Sequence, residues 1–375
     1  MSLSASLNIA IVGAGLVGRL LAYQLSQHKL NISLYEANRL NSDTVDNQLD
    51  AAAFTAAGMI APVSEALEAD LDSYYLGKTS LQLWPSIVAE LNLKNTATIN
   101  YQQSGSLILC HPQDRAELAH FSRKTHKLAS TTGAAFTTLI GKDIHQLEPD
   151  IGNGFEQGIL LPDEAHIDNR ALMSSLLQQC LKQGVLLIDD TLAEIDNNRV
   201  LANNKSSSYD WVFDCRGIGA KSHRPELRGV RGEVLRVHCP DVNFNRPIRL
   251  MHPRYQLYLV PKPGGQYVIG ATQIESEDRS SVTVQSMLEL CSAMYSINPA
   301  FAEARILEQN TNLRPALNDN KASILVCDRH VSINGLFRHG YLIAPAIVRS
   351  VIHWLEGRHC QHHKILFRSM EHIDA

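Results

Sequence analysis

Residues 8–36, NIAIVGAGLVGRLLAYQLSQHKLNISLYE, decide the fold. Residues 9–12 form a short apolar run that reads as a buried parallel strand. Gly13, Gly15 and Gly18 follow in G-x-G-x-x-G spacing, filled in by Ala14, Leu16 and Val17, and an amphipathic helix continues from them. A second apolar strand, 32–35, ends in Glu36. In this pattern the first glycine permits the tight turn, the second lets backbone approach a pyrophosphate, and the third lets helix pack on strand. The free N–H groups at the helix start attract phosphate. Glu36 stands where an acid accepts hydrogen bonds from an adenosine ribose, and its charge repels a 2′-phosphate. The stretch predicts an adenine dinucleotide other than NADP. It does not choose between FAD and NAD.

The chain has 375 residues, 45% of them hydrophobic, and a formal charge of -4. That length buries roughly three quarters of the unfolded surface. The charge gives no basic excess, so no nucleic-acid partner is expected. No run of 18 apolar residues predicts a transmembrane segment. The first apolar segment is the dinucleotide strand, with no basic region before it, so a cytoplasmic protein is expected. Seven cysteines (110, 180, 215, 239, 291, 327 and 360) never form C-x-x-C and read as reduced thiols. His353, His359, His362, His363 and His372 cluster near the C-terminus without ligand spacing and read as a solvated end.

Beyond Glu36 a polar loop covers 38–48, and then comes DAAAFTAAGMIAP over 50–62. Its small side chains fit either backbone lying against a large flat ligand or an Ala-rich helix ended by Pro62. Helical spacing follows over 65–95, a strand over 104–110 and a charged helix over 112–130. A short helix spans 143–148, and a strand and turn cover 158–167. Asp168 reads as the N-cap of a helix that stops at Gly184. Strands are expected at 185–188, 192–195, 200–202 and 211–214, the last leading to Gly217 and Gly219. A β-rich block follows at 232–237, 256–261 and 267–271, with a turn at 263–265. Helices are expected over 281–295, 299–307 and 346–356, with a strand at 323–327. Nucleotide-site elements thus appear at the start, middle and end of the chain. This predicts an α/β protein whose discontinuous nucleotide domain (1–90, 142–220 and 310–375) is interrupted by a second domain (91–141 and 221–309).

Seven separated motifs occur in order. They are VGAGLVG over 12–18, Glu36, TAAGMIAP over 55–62, GVRGEV over 229–234, YLVPKPGGQYVIGAT over 258–272, LRP over 313–315 and FRHGYLIAP over 337–345. Together they resemble the D-amino acid oxidase family of FAD-dependent oxidoreductases, closest to glycine oxidase. The resemblance implies a Rossmann-type FAD-binding domain with a second, mixed-sheet substrate domain over the flavin. It implies that Ala56, Ala57, Gly58 and Met59 lie along the flavin, that Gly217 serves the cofactor site, and that backbone at Gly340, Tyr341 and Leu342 reaches the pyrimidine end.

The implied reaction takes a hydride from Cα of a small amino acid or secondary-amine acid, with dioxygen or another electron acceptor reoxidising the flavin. By the same resemblance Arg314 binds the substrate carboxylate, Tyr258 helps hold it, and Arg338 is a further site residue. A planar guanidinium suits a carboxylate because it offers two parallel hydrogen bonds. No cysteine lies in the LRP segment, where a related sarcosine oxidase branch attaches its flavin, so noncovalent FAD is expected. Arg231 and Glu233 are expected at the domain interface; Arg249 and Arg254 lie in the insert, within reach of an anionic substrate, but no spacing demands that role. The chain differs from glycine oxidases at Leu336, Gln273 and the segment after Pro315, so the resemblance does not fix glycine as substrate. An amino-acid dehydrogenase feeding a quinone or carrier, and a non-catalytic flavin-binding partner protein, share the same motifs. Oligomeric state is not fixed by any of them.

Overall fold

The computed structural model describes residues 7–40, 51–95, 98–253 and 256–368. Most of the polar loop expected over 38–48, together with Arg254 and His372, lies outside them. A seven-stranded sheet runs in the order Phe367–Arg368, Ser323–Cys327, His330–Asn334, Trp211–Asp214, Asn8–Val12, Asn31–Tyr35 and Leu186–Ile188. The last five strands are parallel to one another. Asn8–Val12 is central, and all of it after Asn8 is buried, as its unbroken apolar run requires. The helix Leu16–Ser26 follows the glycine turn and packs between the helices Asn169–Lys182 and Gly340–Leu355. Asp168 caps Asn169–Lys182 as expected, its Oδ1 accepting N–H groups from Arg170 and Ala171.

A mixed eight-stranded sheet forms the second layer. Its order is Arg305–Ala316, Arg228–His238, Gln266–Gly270, Gln256–Lys262, Ile248–Met251, Ser106–Cys110, Gln157–Leu161 and Thr137–Ile140. Only Ile248–Met251 and Ser106–Cys110 pair in parallel within it. One of its strands, Gln157–Leu161, lies inside the 142–220 segment expected to form the nucleotide domain, and another, Arg305–Ala316, straddles the expected boundary at 310. A three-stranded antiparallel sheet, Glu194–Asp196, Arg199–Ala202 and Lys205–Ser208, contains the hairpin read from sequence and adds a strand that was not foreseen.

Three local expectations are corrected. The helix expected over 299–307 is a short 3-10 turn, Pro299–Glu303, and the chain then enters the edge strand Arg305–Ala316. Pairing of Arg305 and Ile306 with His238 and Val237 overrides the local pattern. The final helix begins at Gly340 instead of 346 and runs through Pro345. Proline leaves the carbonyl four residues back without a donor. That carbonyl, on Tyr341, instead accepts the Trp84 Nε1–H at 2.8 Å. Pro62 starts the helix Pro62–Ala66 instead of ending an Ala-rich one, and the preceding helix is only Ala52–Thr55.

Candidate active site

The carboxyl ends of Asn8–Val12 and Trp211–Asp214 meet at the glycine turn. Gly13 has φ +101° and lies so close to the second strand's end that a Cβ would sit 2.7 Å from the Cys215 carbonyl carbon. A Cβ on Gly18 would sit 1.9 Å from the Gly13 oxygen. Gly15 differs: nothing lies within 4 Å of its would-be Cβ, and it faces a cavity of about 1130 Å³. The helix that starts there has no capping side chain and no acid in its first turn. Its N-terminal N–H groups are therefore available to an anion, which suits a pyrophosphate. Glu36 also lines the cavity, with Oε2 accepting the Ala14 N–H at 2.7 Å and Oε1 the Asn38 N–H at 3.1 Å.

The cavity exceeds the ~300–1,000 Å³ of ordinary small-ligand sites. Leu16, Val17, Ala56, Ala57, Gly58, Met59, Gly217, Gly340, Tyr341 and Leu342 line it along with Gly13 and Gly15. Ala14 and Gly18 lie behind that wall. The loop 56–59 is pinned from the rear by Lys262. Its buried Nζ donates to the carbonyls of Ala57 and Ile167, both at 2.7 Å. Burial pulls this ammonium down to about 7, with Asp168 opposing. The N-terminus of Gly340–Leu355, uncapped by any side chain, points into the same space and favours negative charge there.

Part of the cavity lining is polar. Arg314, on the edge strand of the eight-stranded sheet, lies across Gly232, where a Cβ would be 2.5 Å from its Cζ. Its Nη1 donates to the Arg231 carbonyl at 3.1 Å and its Nη2 to the Thr272 carbonyl at 2.9 Å. Among the described residues no carboxylate pairs with it. Burial, with Arg338 adding to it, pulls this guanidinium down to about 10. Tyr258 and Arg338 line the cavity too, and both bind Glu65. The Tyr258 hydroxyl donates to Oε1 at 2.8 Å, and Arg338 Nε donates to Oε2 at 2.7 Å. His339 Nε2 lies 3.0 Å from the same Oε2. Burial alone would raise the Glu65 carboxyl, but Arg338, His339 and Arg249 hold it well below the usual carboxylate range.

Arg249 is fully buried and stacks its guanidinium 5.2 Å from the Tyr258 ring centroid, with Glu68 at 3.2 Å. Arg231 and Glu233 form a buried pair at 2.6 Å that also ties down the carbonyls of Asp278 and Ser281. Gln273 lines the cavity, its Oε1 3.5 Å from Arg338 Nη1. Glu65, His339 and Lys262 were not singled out from the sequence. Lys262 and His339 stand inside quoted motifs, and Glu65 follows three residues after Pro62, in the first turn of the helix that Pro62 starts. His362 is buried and hydrogen-bonded to Thr79, so the C-terminal histidines are not uniformly solvated as expected. Among the described residues no cluster fits a metal ion, and no helix is long and apolar enough to cross a membrane.

Comparison with known proteins agrees with this geometry. Residues 8–354 match the family model described as FAD dependent oxidoreductase. A putative thiamine biosynthesis oxidoreductase ThiO from Rhizobium etli is 33% identical over 345 residues, covering 92% of this chain and 95% of that protein. The glycine oxidase of Bacillus subtilis is 22% identical, with coverage of 90% and 89%. The crystal structure of glycine oxidase from Geobacillus kaustophilus superposes with a TM-score of 0.83 at 19% identity, covering 97% of this chain and 98% of that one. The chain therefore belongs to the D-amino acid oxidase family of FAD-dependent oxidoreductases, and FAD is its cofactor.

Proposed function

We propose that this protein oxidises the Cα–N bond of a small amino acid or secondary-amine acid and acts as an oxidase, giving the imino acid and hydrogen peroxide. The observation that carries the reading is Arg314. It is a half-buried cation lining the cavity; among the described residues two backbone carbonyls hold it and no carboxylate pairs with it. A desolvated guanidinium in that state favours a ligand that brings the negative charge. Gly15 and the helix start would hold the pyrophosphate of a noncovalent FAD, Glu36 its ribose, and the 56–59 and 340–342 segments its ring, and the bound cofactor would supply the hydride acceptor. Arg314 fixes the carboxylate, so Cα is presented in one orientation. The loop that Lys262 pins and the wall formed by Tyr258 and Arg338 bound the space around it. No side-chain base is assigned, because an amine that binds neutral needs none.

The relatives named for glycine oxidation and for thiamine biosynthesis support trying glycine first. The seven unpaired cysteines support a reducing, cytoplasmic setting. We further propose that the FAD-binding unit is discontinuous and built around the seven-stranded sheet, with the eight-stranded sheet as the substrate unit.

An anaerobic panel of glycine, sarcosine, proline, iminodiacetate and D-amino acids tests the reading. Bleaching of the flavin by one of them, and peroxide formation on readmitting air, is the expected result. Bleaching that air reverses only slowly would make the protein a dehydrogenase, and no bleaching by any amine acid would overturn the reading.

A further inference from the structure

Arg19 stands directly after the last glycine of the turn, near the start of the helix Leu16–Ser26, and is 1% exposed. Its Nε donates to the Ala14 carbonyl at 2.6 Å and its Nη1 to the Met173 carbonyl at 2.9 Å. The guanidinium carbon lies 5.3 Å from the centroid of the Phe54 ring. Among the described residues no carboxylate forms an ion pair with it. Burial pulls the guanidinium down to about 10, with Glu36 opposing. A cation this close to a helix N-terminus also opposes the helix dipole. Both effects count against a charge here, and an anion arriving at the turn offsets both. Arg216 is different. It lines the cavity, and its Cα is 2.8 Å from where a Cβ on Gly13 would sit, but its charge is already met by Asp214, with Nε and Nη2 at 2.9 and 2.7 Å from the two carboxylate oxygens.

The bond to Ala14 also sets a peptide plane. A trans peptide points its C=O and N–H in opposite directions. The Ala14 carbonyl faces Arg19, so the Gly15 N–H of the same peptide faces away from it. Gly15 lines the cavity and Arg19 lies behind the wall. Among the described residues no acceptor takes the Gly15 N–H. From the other side, Glu36 Oε2 accepts the Ala14 N–H at 2.7 Å. Arg19 and Glu36 thus hold the two peptides of Ala14 between them. We propose that Arg19 is a positioning residue for the cofactor's pyrophosphate: it aims the Gly15 N–H at the phosphates through the Ala14 carbonyl and sets an uncompensated positive charge behind them. This rests on the placement of the pyrophosphate at Gly15. The three glycines supply N–H groups and space, Glu36 supplies negative charge, and Arg19 supplies the cation that a pyrophosphate calls for.

The test separates the charge from the hydrogen bond. FAD affinity is measured by diluting the holoenzyme and following the release of flavin fluorescence, with ADP and adenosine as competitors. In Arg19→Gln the amide can still donate to the Ala14 carbonyl, but the charge is gone. In Arg19→Lys the charge stays and the planar fork is lost. Arg19→Gln is expected to bind FAD and ADP about 10- to 100-fold more weakly, the scale of one unit charge acting through a protein interior. Adenosine, which has no phosphate, should stay within about threefold of its wild-type affinity. Arg19→Lys should bind FAD and ADP more tightly than Arg19→Gln. Arg19→Met, which loses both the charge and the hydrogen bond, should bind them most weakly.

Equal weakening of ADP and adenosine in Arg19→Gln would overturn the proposal, because Arg19 would then only brace the turn against the helix Asn169–Lys182. Arg19→Lys binding FAD no better than Arg19→Gln would overturn it as well. If Arg19→Gln yields no folded holoenzyme, Arg19→Lys decides alone: an ADP affinity within about tenfold of wild type supports the charge, and a larger loss sinks it. ADP that fails to displace FAD from the wild type would overturn the placement of the pyrophosphate, and the proposal with it, an outcome distinct from equal losses in the variant.

Discussion

Replacing Arg314 with methionine separates a ligand-binding cation from a structural one. Of the five N–H groups on a guanidinium, two are used, toward the carbonyls of Arg231 and Thr272. One hydrogen on each Nη and the Nε–H remain for a ligand. Truncating one partner of a buried, hydrogen-bonded charge pair costs ~2–5 kcal/mol. In affinity that is roughly 30-fold to a few thousandfold. The effect on the fold should be smaller. Methionine fills much of the same volume, and the two carbonyls it strands cost ~1–3 kcal/mol each. Against that, the substitution removes a charge that no carboxylate pairs with among the described residues and that burial lowers to about 10, with Glu65 opposing. The assay is acetate titration of the FAD-loaded protein through the flavin spectrum, with thermal melting alongside. Arg314→Lys should fall between the two, since an ammonium keeps the charge but not the planar fork. Acetate affinity within threefold of wild type in Arg314→Met would refute the clamp.

Other perturbations follow from the same geometry. Gly15→Ala should leave the apoprotein's melting temperature nearly unchanged, because the new methyl meets no protein atom within 4 Å, yet weaken FAD binding measured by flavin fluorescence quenching. Gly18→Ala should lower the melting temperature itself, since its Cβ would lie 1.9 Å from the Gly13 oxygen. Glu164 is buried and hydrogen-bonded to Ser64, and burial pushes its carboxyl up to about 7 from an ordinary 4.5, against those hydrogen bonds and Arg249. The folded state thus holds a proton that the unfolded state releases, and this contribution is lost as pH rises from about 4.5 through 7. Glu164→Gln should therefore gain in melting temperature relative to wild type across that window, and a constant difference would count against it. Lys262 has the opposite sign: burial lowers it to about 7, so the wild type should gain on Lys262→Met as pH rises from about 7 to 10.5.

The dinucleotide half of the site was legible because its physics is local. Gly13, Gly15 and Gly18 answer to one turn, and Glu36 ends the next strand in register with it, Tyr35 opposite Val12. The edge strand Arg305–Ala316 was not legible in full. Its first residues pair with His238 and Val237, nearly 70 positions earlier, and no short-range pattern carries that information. The same limit applies to the polar lining of the cavity. Arg314, Tyr258 and Arg338 stand out by residue type and motif, and the cavity brings them together. What each presents to a ligand depends on Glu65, which is 193 residues from Tyr258 and 273 from Arg338 in sequence. A tyrosine read alone is both donor and acceptor, and an arginine read alone is a free cation. Glu65 accepts the tyrosine's hydroxyl and pairs with Arg338, and on the proposed reading that leaves Arg314 as the cation for a substrate's carboxylate.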